Sequence, residues 1–188
     1  RAIRDSRIFF GQTFQVNPEQ VIFTGSGSEA DNLAVYGVAM NALVRRNAKG
    51  ATGPAPRVLA SAIDHPAVRK TVQSLTDLGI DAHLVPVDRH GQVDRVKLLE
   101  LLTPATVLVS IHQVNYIVGS HLPVEDLARI CKERVPELIF HTDAVQAFCK
   151  VEVPTSPSAV ELVSISAHKG EGPKGVGALI ILNKKLMQ

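Results

Sequence analysis

Leu162-Val163-Ser164-Ile165-Ser166-Ala167-His168-Lys169-Gly170-Glu171-Gly172-Pro173-Lys174-Gly175-Val176-Gly177-Ala178-Leu179-Ile180-Ile181-Leu182 joins two apolar runs through a glycine-rich turn. Leu162 to Ser166 has the length and β-branched content of a buried strand and delivers Ser166, His168 and Lys169 into the turn. The second run, Ala178 to Leu182, follows too closely for a helical crossover, so the last strand is expected to be antiparallel. A lysine set between a buried strand and Gly170, Gly172 and Gly175 can be desolvated. Burial disfavours its ammonium form and leaves an amine able to form a Schiff base with a carbonyl. A surface lysine in a turn is the plain alternative, and the rest of the chain decides between them.

Upstream, strand and helix patterns alternate. Strands are expected at Val21–Phe23, Val58–Ala62, Asp81–Val85, Thr106–Ile111 and Leu138–His141, which with the two above makes seven. Helical spacing occurs over Arg1–Phe14, after Gly27 with Leu33, Tyr36, Met40 and Val44, after Pro66 with Val68, Val72 and Leu75, over Val96–Leu102, and over Val124–Arg134 with Leu127, Ile130 and Cys131. The alternation predicts an α/β fold, a seven-stranded mostly parallel sheet with one antiparallel strand and helices on both faces. Asn47 to Pro56 is a surface excursion, because a strand resumes directly after it.

Composition narrows the function classes. With 188 residues, 45% hydrophobic and 20% charged, one globular domain over residues 1–188 accounts for the chain. The net charge is +2 and the densest basic run is Arg45-Arg46 near Lys49, so nucleic acid is not an expected partner. No apolar stretch approaches the ~18 residues of a membrane helix, and the start lacks a signal-peptide core, which predicts a soluble protein with no membrane partner. Cys131 and Cys149 form neither a disulfide framework nor a metal spacing, as suits a reducing, cytoplasmic compartment. Both cysteines are expected to be buried. The chain opens without Met inside a helical pattern and is read as a piece of something longer.

In open parallel sheets ligands bind beyond the carboxyl ends of the strands. The candidate residues fall there: Gly27 and Ser28 after the first strand, His65 after the second, Asn115 after the fourth, Asp143 and Gln146 after the fifth, Ser166, His168 and Lys169 after the sixth. Each has a dull alternative, such as a helix cap for Ser28 and His65 or a structural hydrogen bond for Asp143. Their convergence on one rim does not. Together they supply what pyridoxal 5'-phosphate requires: hydroxyls and N–H groups at a helix start for the phosphate, a carboxylate for the ring nitrogen and a lysine for the aldehyde.

These segments resemble the class V aminotransferase-like family, and within it the cysteine desulfurases and selenocysteine lyases. Phe23 to Ala34 is similar to the family's phosphate loop and helix, Asp64-His65 to its Glu-His pair, His141 to Gln146 to its aspartate–glutamine segment, and Ser166 to Lys169 to its Schiff-base segment. The resemblance implies the large domain of a fold-type-I pyridoxal-phosphate enzyme that takes sulfur or selenium from cysteine or selenocysteine and leaves alanine. It implies Lys169 on the aldehyde, Asp143 at the ring nitrogen, Gln146 at the phenolic oxygen and His65 stacked on the ring, assisting proton transfer. A homodimer and a sulfur- or selenium-accepting protein partner are also implied. Another class V reaction, or a degenerate homologue serving as a scaffold, are the alternatives. The chain departs from the family pattern at Asn115-Tyr116-Ile117, where either Tyr116 replaces a cofactor-contacting asparagine or Asn115 serves, at Cys149 where a glycine is usual, and at Glu171. The family's N-terminal segment and small C-terminal domain are expected to lie outside this chain, which by itself is expected to be inactive.

Overall fold

The computed structural model describes residues 1–51 and 53–187. Twelve main elements follow one another: α1 Ala2–Phe14, β1 Val21–Thr24, α2 Gly27–Ala48, β2 Arg57–Ser61, α3 Pro66–Ser74, β3 Asp81–Val85, α4 Arg95–Leu101, β4 Thr106–Ser110, α5 Val124–Arg134, β5 Ile139–Asp143, β6 Leu162–Ser166 and β7 Gly177–Ile181. The strands form one sheet in the order β1-β7-β6-β5-β4-β2-β3. Only β7 runs against its neighbours, and it does so on both sides. The expected seven-stranded, mostly parallel sheet is therefore present, with the short final connection enforcing the one antiparallel strand.

Strand side chains alternate between two cores, as they must in a sheet covered on both faces. Val58, Ala60 and Leu108 face α2 and α3 with Val35, Ala39, Val68, Val72 and Leu75. Leu59, Val109, Phe140, Val163 and Ile165 face the opposite layer with Leu98, Leu127, Cys131 and Phe14. α1 joins that layer through aromatic contacts, the Phe14 ring stacking on Phe148 at 5.9 Å.

The period of α2 was legible but its inward face was not. Leu33, Tyr36 and Val44 stand exposed, while Ala30, Asp31, Ala34, Val35 and Ala39 are buried. Small side chains let a helix lie close on a sheet, so its bulky residues are displaced outward. Among the described residues no helix is long and apolar enough to cross a membrane.

The register of β7 positions the site. Thr24 of β1 and Ser166 of β6 both lie opposite Gly177. The loop after β1 and the loop after β6 thus leave the sheet on either side of one glycine. A Cβ on Gly177 would stand 2.4 Å from the carbonyl carbon of Ser26, so only glycine lets the β1 loop settle onto this strand.

Candidate functional site

A cleft of about 300 Å³ opens beyond the carboxyl ends of the strands, lined by Ser26, Gly27, Ser28, Asp31, His65, His112, Val114, Tyr116, Asp143, Val145, Gln146, Ser166, His168 and Lys169. Every expected site residue is there except Asn115. A larger cavity, about 780 Å³, lies between α1 and residues 156–158. It gathers no comparable set of titratable groups.

One end of the cleft is the start of α2. Ser26 caps this 22-residue helix, its hydroxyl accepting from the Glu29 N–H, while the Glu29 carboxylate accepts from the Gly25 N–H. This reciprocal closure leaves the Gly27 and Ser28 N–H groups as the open donors of the first turn, at the positive end of the helix. A Cβ on Gly27 would meet Val145 Cγ2 at 2.6 Å and Ser166 Cβ at 3.2 Å. Lacking one, Gly27 makes a bare backbone floor between the loops after β5 and β6.

The floor holds buried acid. Asp143 ends β5, and its Oδ1 accepts from the Val145 N–H at 2.8 Å. Burial, reinforced by the charge of Asp64, pushes its carboxyl up from 3.8 to about 7. Asp31 is buried too, raised well above the carboxylate range by burial and then by Asp143 and Asp64. Its Oδ1 lies 3.7 Å from His141 Nε2 and has no hydrogen-bond partner among the described residues. His141 itself is held between Ser110 and Ser164 at 2.8 and 2.9 Å, and burial pushes it down to about 3, so it stays neutral. His112 Nδ1 is a second buried orphan, 3.6 Å from Asp64 Oδ1. Asp31 and His112 both line the cleft while their orphan atoms face the buried His141 and Asp64 behind it, so the acid cluster under the floor carries unsatisfied polarity.

The walls carry the reactive side chains. His65 caps α3, its Nδ1 accepting from the Ala67 N–H at 3.2 Å, which leaves the ring proton on Nε2. Burial lowers the imidazole below its usual value, Asp64 opposing and Lys169 assisting. Ser166, buried, pairs with His168 Nδ1 at 2.9 Å. His168 and Lys169 form a short turn closed by the Gly170 and Gly172 N–H groups on the Ala167 carbonyl.

Three expectations need correction. Lys169 is exposed rather than desolvated, because its turn carries it out over the cleft instead of back against the strand. Asn115 is buried behind the rim with its amide spent on structure: Nδ2 donates to the Ile63 carbonyl, and Oδ1 accepts from the Ile117 and Val118 N–H groups. Cys149 is exposed, not buried, in a left-handed conformation with φ 65° that suits the glycine usual there. Conversely, Asp31, His112 and Val145 were not anticipated. Asp31 carried a signal, being one acid four residues after Gly27 on the helix's alanine face.

The family profile described as aminotransferase class-V matches residues 1–188. The chain is 38% identical over 180 residues to cysteine desulfurase IscS of Dictyoglomus turgidum, covering 96% of this chain and 43% of that protein. It is 33% identical to the mitochondrial cysteine desulfurase of Drosophila melanogaster, covering 96% and 37%. Among solved structures it is similar to a NifS-like protein, TM-score 0.86 at 34% identity, over 95% of this chain and 47% of that one. It is likewise similar to SspA in complex with cysteine, TM-score 0.84 at 32% identity, over 98% and 50%. The chain spans less than half the length of these curated relatives, and its architecture is that of the fold-type-I large domain. A profile running the whole chain, on a sheet whose strand ends gather those segments at one cleft, places this chain in the class V aminotransferase family.

Proposed function

We propose that this chain is the cofactor-binding domain of a pyridoxal-phosphate-dependent cysteine desulfurase, which takes sulfur from cysteine and leaves alanine. One observation carries the reading. A buried acid at the cleft floor, Asp143, a bare glycine cradle at a helix start and a lysine on the wall occupy a single cleft. The named relatives supply the reaction.

The residues present fit the cofactor. The Gly27 and Ser28 N–H groups with the hydroxyls of Ser28 and Ser166 would hold its phosphate, Asp143 its ring nitrogen, Gln146 its phenolic oxygen, His65 its ring face and Lys169 its aldehyde. When bound, pyridoxal phosphate supplies an electron sink for bonds at the substrate's α-carbon. The chain does the rest. Asp143, its carboxyl raised to about 7 by burial and Asp64, shares its proton with solvent near neutral pH in the empty cleft and would ionise fully with a cation opposite, since an opposite charge favours the carboxylate. His65, neutral with Nδ1 committed to Ala67, presents Nε2 as the proton-carrying atom. Lys169 would hold the aldehyde through its Nζ and would be the group placed to move a proton in the same cleft.

A homodimer is supported by the apolar side chains left outside the core on α1 and α2, Ile3, Phe9, Leu33 and Val44. A protein that accepts the sulfur belongs to the same reading. Two free thiols agree with a reducing compartment, the cytoplasm as expected from sequence, although one relative above is mitochondrial. The test is to add pyridoxal phosphate to the purified chain and follow its visible absorption, then to assay alanine release from cysteine in the full-length enzyme. A band abolished by borohydride, and alanine formed from cysteine, are expected. A colourless protein that takes up no cofactor would overturn the reading.

A further inference from the structure

The loop after β4 turns a tyrosine onto the histidine wall of the cleft. The Tyr116 ring centre lies 5.0 Å from that of His65 with the planes at 71°, an edge-to-face pair. The loop is pinned at Asn115. Asn115 ties it from behind, donating to the Ile63 carbonyl two residues before His65 and accepting from the Ile117 and Val118 N–H groups, while the Gly119 N–H closes onto the Asn115 carbonyl. The two wall segments are thereby braced to each other. His65 needs such a brace, because its one side-chain hydrogen bond, Nδ1 to the Ala67 N–H, leaves the half-buried ring free to tilt about that contact. Tyr116 is itself 41% exposed and lines the cleft.

We propose that Tyr116, aimed by Asn115, is a positioning residue that sets the plane of the His65 imidazole and so fixes the flat surface the cleft offers to a cofactor ring. The identity of that ring rests on the function proposed above; the aromatic contact does not. The buried Asn115 thus acts on the site through Tyr116.

The experiment compares the wild-type chain with Tyr116→Ala and Tyr116→Phe in two measurements. The first is the His65 ring signal followed by NMR through a pH titration without cofactor. In Tyr116→Ala the signal is expected to lose its ring-current displacement and its midpoint to rise, as solvent reaches the imidazole while Asp64 and Lys169 stay in place. The second is pyridoxal phosphate affinity, expected to weaken by roughly two- to tenfold, the span of one aromatic pair. Tyr116→Phe should keep both properties. An unchanged His65 titration and affinity in Tyr116→Ala would overturn the proposal, and so would a Tyr116→Phe variant as impaired as the alanine. If the wild-type chain binds no pyridoxal phosphate, the functional reading fails, and the His65 titration still decides whether Tyr116 positions it.

Discussion

Replacing Asp143 by Asn should stabilise the ligand-free chain while weakening its hold on the cofactor. The folded-state pKa of Asp143, about 7, lies above its ordinary 3.8 because burial and Asp64 disfavour the charge. A group raised in this way contributes stability that is complete below the lower value and is lost as the pH climbs through the upper one. The full displacement corresponds to a ceiling of roughly 4 kcal/mol. Between about pH 5 and pH 8 the wild type passes through the upper part of this window, so the margin by which Asp143→Asn is the more stable should widen by about 2.6 kcal/mol. His141 titrates with the opposite sign, its depressed value costing stability as pH falls, but it is common to both chains and cancels. The Asn Oδ1 can still accept from the Val145 N–H, so the local turn should survive. Urea unfolding of both proteins at the two pH values measures the difference. The cofactor should respond in reverse, since loss of a charge-assisted hydrogen bond, about 1.5–3 kcal/mol, weakens binding roughly ten- to a hundredfold. An Asn variant less stable than wild type at about pH 8, or a margin that does not change with pH, would refute the picture of Asp143 as an acid buried at a cost for its ligand.

Borohydride reduction of the cofactor-loaded chain, followed by peptide mapping, should find the pyridoxyl group on Lys169; an adduct on Lys174 would mean that the β6 turn has been read one loop short. Gly27→Ala should place a methyl 2.6 Å from Val145 Cγ2, costing about 1–3 kcal/mol in chemical denaturation as an overpacked site does. It should also reduce pyridoxal phosphate affinity, measured by absorbance titration. Cys149→Gly relieves a left-handed residue at φ 65° and should raise the urea midpoint by the equivalent of up to about 1 kcal/mol, since glycine's extra chain entropy offsets part of the relief.

The fold was legible because its elements announce themselves twice, by period and by punctuation. The fifth helix is legible at its full observed extent, Val124–Arg134, from the spacing of Leu127, Ile130 and Cys131. β7 was read as antiparallel from chain length alone, and the register then explains why Gly177 must be glycine. The inward face of α2 escaped for a physical reason. Hydrophobic periodicity weights large side chains, yet a helix pressed onto a sheet near a ligand site uses alanine and glycine there, and its Leu33 and Tyr36 point away.

The site was legible wherever a residue's place depends on its own strand end, and illegible wherever it depends on a neighbour. Asp143, Gln146, Ser166 and Lys169 follow directly from β5 and β6. Whether a loop residue faces the cleft or braces it, however, is settled by hydrogen bonds to other segments. Asn115 and Tyr116 are adjacent in the chain, and sequence places Asn115 at the rim while leaving open whether Tyr116 takes that place. The structure gives Asn115 to the Ile63 carbonyl, more than fifty positions upstream, and gives Tyr116 to the cleft. The same holds for Asp31 and His112. Their orphaned atoms acquire meaning only when β1, β2, β4 and β5 bring Asp31, Asp64, His112 and Asp143 together. Because like charges in so small a volume cannot ionise cheaply together, Asp31 and Asp143 are pushed toward their protonated forms, and a cationic ligand would favour their ionisation. A cleft built this way is destabilised until it is filled, which is why the stability of the empty chain, and not only its activity, reports on what it binds.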